Sequence, residues 1–112
     1  MVHLPLELEA GLIILGQHYT VEAISDADEG LGNAPNGGIA LGLTHQTRHR
    51  IRIRTDASIS EDEARDTLLH EVIHVIARLA DVQWKERDIR LFATVLLDTL
   101  RRNPALVEAL LA

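Results

Sequence analysis

The spacing of apolar and polar positions changes twice along the chain and divides it into three zones. Between residues 11 and 55 the pattern is short and extended. Leu12-Ile13-Ile14-Leu15 and Tyr19-Thr20-Val21-Glu22-Ala23-Ile24 flank Gly16-Gln17-His18, which predicts two strands joined by a tight turn. Residues 25–38 are rich in Asp, Asn and Gly and read as a loop, with Asn36-Gly37 as a turn signal. Residues 39–43 and 50–54 then read as strands around a hairpin connection at 44–49. Arg48, Arg50, Arg52 and Arg54 alternate with His49, Ile51, Ile53 and Thr55, so period two places the arginines on one strand face. That face is either a solvated guard on an edge strand or a basic rim beside a site.

The second zone has helical period. Ser60-Glu61-Asp62-Glu63 has the form of a capping box, and three acids in the first turn suit the helix dipole. The helix is expected from Glu61 to about Ala80. Leu68, Leu69, Val72, Ile73, Val75, Ile76, Leu79 and Ala80 form a wide apolar face. Glu63, Thr67, His70, Glu71, His74 and Arg78 occupy the face left over. The third zone predicts a helix from about Trp84 to Arg102, buried through Ile89, Phe92, Ala93, Leu96, Leu97 and Leu100. Asn103-Pro104 ends it and opens a short last helix, packed down by Leu106, Val107, Leu110 and Leu111.

Composition narrows the function. At 112 residues the chain has the length of one domain, 1–112. The net charge of −6 disfavours general nucleic-acid binding, and 3% aromatic residues leave few stacking platforms for single strands. With no cysteine, any metal must be held by His, Asp or Glu. No apolar run approaches the roughly 20 residues of a membrane span. The first residues lack the pattern of a signal peptide, so a cytoplasmic location is expected.

His70-Glu71-Val72-Ile73-His74 is HExxH within the predicted central helix. Composition alone would produce this pattern about 0.03 times in such a chain, so chance is a poor explanation. Spacing i, i+4 stacks the two imidazoles on one helix face, where both nitrogens can meet a Zn²⁺ ion. Glu71, about 100° round the helix, is placed to act as a general base. A third ligand is required, and the extension HExxHxxGxxH is absent, because Ala77 and Ala80 stand at its Gly and third His. Asp81, Glu86 and Asp88 are the downstream carboxylates. Glu86 lies about 50° from the centre of the second helix's buried stripe and Asp88 more than 100° away, which favours Glu86. A later start of that helix would favour Asp88. His45, His49 and Tyr19 read as ordinary surface or half-buried residues, each with the option of donating to an oxyanion.

The chain resembles small HExxH zinc metallopeptidases, the minigluzincins and the ImmA/IrrE-like metallopeptidase domains common in phages and mobile elements. The resemblance rests on Tyr19-Thr20-Val21 after a Gly turn, Leu41-Gly42-Leu43 before an extended strand, and Arg50–Arg54. It continues through Thr67-Leu68-Leu69-His70-Glu71 and the helix ending Arg101-Arg102-Asn103-Pro104. It implies an α+β fold, a small mixed or antiparallel sheet of three to four strands on an active-site helix, then a glutamate-bearing helix and a short C-terminal one. It also implies zinc held by His70, His74 and a downstream acid, with Glu71 as base. A peptide substrate would lie along an edge strand at residues 50–54. The rival expectation is a weakly active or inactive binding module that holds a protein partner by its sheet edge.

Overall fold

Ile51 and Ile53 are completely buried, and the reason is their place in the sheet. A computed structural model describes Leu8, residues 11–24 and residues 41–112. The loop expected at 25–38, with Asn36-Gly37 and the start of the strand at 39–40, lies outside the described residues. Among the described residues four strands, β1 (Leu12–Ile14), β2 (Gln17–Ile24), β3 (Gly42–His45) and β4 (Arg50–Arg54), form one sheet in the order β1-β2-β4-β3. β1 and β2 are antiparallel, β2 and β4 parallel, and β4 and β3 antiparallel. Three helices follow: α1 (Glu61–Leu79), α2 (Glu86–Arg102) and α3 (Pro104–Leu111). The fold is α+β, as expected. Among the described residues no helix is long and apolar enough to cross a membrane.

Residues 50–54 are therefore not an edge. β4 is bonded on both sides, to Thr20–Ile24 of β2 and to β3. Alternation of Arg and Ile reveals which face is buried, but not how many neighbours the backbone has. The arginines do share a face, and it is the face turned away from α1. There Arg50 and Arg52 lie 3.9 and 3.4 Å from the Glu22 carboxylate, directly across the parallel pair. They do not form a basic rim beside the helix that carries HExxH. Arg48 is exposed in the turn before β4.

The β1–β2 turn is Leu15-Gly16, both at positive φ (46° and 79°), which matches the two-residue turn whose twist fits a hairpin. β2 thus starts at Gln17, two residues before the expected Tyr19. Leu12, Ile14, Tyr19, Val21, Ile51 and Ile53 face α1 and pack on Leu68, Val72, Val75 and Leu79. A fully buried aliphatic side chain of this kind contributes about 1.5–3 kcal/mol. Tyr19 stacks on His49 at 4.4 Å and its hydroxyl donates to Gln46 Oε1, so it serves the core.

α1 is capped as its sequence predicts: the Ser60 hydroxyl accepts from the Glu63 amide at 3.1 Å. Its entry is fixed by Asp56, which is nearly buried. Asp56 accepts from Arg54 Nε at 2.8 Å and from the Ser58 amide at 2.9 Å, and it also bonds the Ser58 hydroxyl. The Ser58 hydroxyl and the Arg54 guanidinium hold the Asp56 carboxyl at about 2, below its usual 3.8. A lowered folded-state pKa gives stability that is complete above about pH 4 and is lost as pH falls toward 2. In denaturant titrations, wild type is expected to exceed Asp56→Asn in stability at pH 6, with the gap closing between pH 4 and 2. A gap independent of pH would remove this ion pair from the account.

α1 ends in a Schellman turn. The Val82 amide donates to Ala77 O at 2.8 Å and the Asp81 amide to Arg78 O at 3.2 Å, with Asp81 at φ 56°. This left-handed position ordinarily selects Gly. Asp81→Gly is expected to raise stability by up to about 1 kcal/mol, and Asp81→Val to lower it by about 1–2 kcal/mol. Equilibrium unfolding of both variants checks the sign of each change.

α2 packs on α1 through Ile89 and Ala93 against Ile73 and Leu69. Thr94 also donates to Asp66 at 3.0 Å. The expected stripe is narrower than the sequence suggests. Phe92 is half exposed and lies 6.3 Å from the Trp84 ring, while Ile76 and Ala80 of the expected α1 face are also exposed. α3 begins at Pro104 as expected but is not packed down. Leu106, Leu110 and Leu111 are exposed and only Val107 is half buried.

Candidate metal centre

His70 and His74 stand one turn apart near the middle of α1, on the side that meets the start of α2. Their Nε2 atoms are 3.0 Å apart. Glu86, the first residue of α2, reaches both: Oε1 is 2.7 Å from His70 Nε2 and Oε2 is 2.6 Å from His74 Nε2. α2 starts two residues later than expected, yet Glu86 is still the acid that arrives. The Schellman turn reverses the chain, and Ile89, one turn further along α2, docks on Ile73 and fixes the face that Glu86 shares. Asp81 and Asp88 are both exposed.

Glu71 stands apart from this triangle. It is only 7% exposed, because β3 crosses over it. The sequence places it on the uncovered face of α1, and the structure corrects this: β3 covers that part of the helix. One of its carboxylate oxygens lies within 4.8 Å of the two imidazoles, and Oε2 accepts from Thr44 Oγ1 at 3.3 Å. Gly42, two residues earlier on the same face of β3, permits this crossing. A Cβ there would stand 2.6 Å from Thr67 Cγ2 and 3.1 Å from Glu71 Cγ. Thr44 and Gly42 were not among the residues expected at the site. An isolated Gly within a strand pattern, a sign of close backbone approach, is the signal that points to them.

Burial acts on the protonation of both groups. It is the largest influence on His70 and pushes its pKa down, against the pull of the Glu86 carboxylate. A neutral imidazole keeps the lone pair a metal needs. Burial pushes Glu71 up, opposed by His74 and by the Thr44 hydrogen bond. A carboxylate with a raised pKa is a stronger base.

The donor set fits zinc. Ligand atoms on a tetrahedral zinc at 2.0–2.1 Å stand about 3.3 Å apart. The two imidazole nitrogens, 3.0 Å apart, would separate by about 0.3 Å to admit the ion, and the Glu86 carboxylate, which meets each nitrogen through a different oxygen at 2.6–2.7 Å, would draw back from both. Two nitrogens and one carboxylate are the three protein ligands of an open zinc site; a fourth, from Glu71, would close it. Comparison of the chain with protein-family models, curated proteins and solved structures gives no match.

Proposed function

We propose that the protein is a zinc-dependent metallopeptidase. The observation that carries this reading is the convergence of His70, His74 and Glu86 on one point, with the buried Glu71 carboxylate beside it. His70, His74 and Glu86 would hold the ion. Bound zinc supplies Lewis acidity toward a scissile carbonyl and toward water. Glu71 takes the proton of the attacking water and delivers it to the leaving amine.

Among the described residues β3 is the edge strand on this side of the sheet, and its Thr44 touches Glu71. An extended peptide adding to the outer edge of β3 would run beside the base, with main-chain hydrogen bonds giving affinity. This moves the substrate strand from residues 50–54 to Gly42–His45.

The test is elemental analysis of protein purified without added metal, followed by incubation with a mixed peptide library. The reading expects near-stoichiometric zinc and cleavage that stops when a chelator is added. Zinc without cleavage, but with peptide retained on the protein, would replace it with a zinc-bearing binding module. Absence of metal after zinc is offered would remove both the ion and the enzyme.

A further inference from the structure

Glu71 lies close enough to the two imidazoles to become a fourth protein ligand, and such a site would be closed. Two side-by-side features of β3 oppose this. Thr44 Oγ1 donates to Glu71 Oε2, and the Gly42 backbone is pressed against the Glu71 stem. Both residues face α1 in the antiparallel register, opposite Ile51 and Ile53 respectively. The hydrogen bond holds the tip of the carboxylate, and the close approach restricts the stem.

We infer that Thr44 is a positioning residue that keeps the Glu71 carboxylate out of the metal's ligand shell and so leaves a position open for exchangeable ligand. This rests on the metal reading of His70, His74 and Glu86. Without Thr44, Glu71 retains its burial but loses a donor. A buried carboxylate without that donor gains by turning to the nearest positive charge, which is the ion.

The experiment uses cobalt(II) as a spectroscopic substitute for zinc and acetohydroxamate as a probe that binds only where a position is open. Wild-type protein loaded with cobalt is expected to change its visible absorption when acetohydroxamate is added. Thr44→Val, which keeps the shape and loses the hydroxyl, is expected to need at least tenfold more probe for the same change. Thr44→Ser restores the wild-type response, and Thr44→Val combined with Glu71→Gln restores it as well, since Gln is a poor ligand. Thr44→Ala repeats the loss with a smaller side chain, and circular dichroism verifies the fold of each variant. A Thr44→Val response equal to wild type, in cobalt-loaded protein, overturns the role of Thr44 and leaves the metal site standing. Failure of wild type to bind cobalt or zinc overturns the metal reading itself, and this inference with it.

Discussion

Glu71→Gln is expected to bind zinc as wild type does and to cleave peptide about 10²–10⁴-fold more slowly, the usual worth of a positioned general base. Gln keeps the size of the side chain and an oxygen that can accept from Thr44, so the packing under β3 survives. It cannot take a proton from water. The neutral amide also removes the cost of burying a carboxylate beneath β3, so folding stability is not expected to fall. The measurement is zinc content by elemental analysis together with kcat on a peptide that wild type cleaves. Unchanged turnover would show that Glu71 is not the base. Loss of zinc would make Glu71 a ligand and reassign its neighbour Glu86.

Glu86→Ala is expected to lose zinc affinity by more than the roughly 10–100-fold that removal of an outer-shell partner costs, because Glu86 would supply a ligand itself. The effect has a second readout. Zinc binding the folded chain alone raises thermal stability with concentration, and Glu86→Ala is expected to lose most of that rise. Asp88→Ala and Asp81→Ala are the controls. Both residues are exposed, and neither is expected to change affinity by more than about twofold. Wild-type affinity in Glu86→Ala, with a loss in either control, would move the third ligand and undo the argument from the α1–α2 turn.

These variants separate what was legible in the chain from what was not. Ser60 and the three acids after it fix where α1 begins, because capping is satisfied within four residues. Pro104 fixes where α3 begins for the same local reason. The edge at residues 50–54 failed because strand order is decided by residues distant in sequence. β2 supplies the parallel partner of β4 from about thirty positions upstream, and no feature of Arg-Ile-Arg-Ile-Arg records it. The stripe on α2 is buried at Ile89 and Ala93 but not at Phe92, for a related reason. Helical period counts apolar residues on the wheel, but the width of the neighbouring helix decides how many are covered, and Phe92 falls outside it.

The sequence by itself determined that His70 and His74 share one helix face with Glu71 beside them, because four residues of α-helix place them so whatever the surroundings. It also reduced the candidates for a third zinc ligand to three carboxylates and favoured Glu86. Only the tertiary structure decided that Glu86 meets both imidazoles, since that depends on how a left-handed Asp81 turns the chain and where Ile89 docks. Only the tertiary structure, likewise, laid Gly42 and Thr44 over Glu71. That contact needs β3 to close the sheet against α1, and it joins Thr44 to a residue 27 positions away through packing that no local pattern encodes.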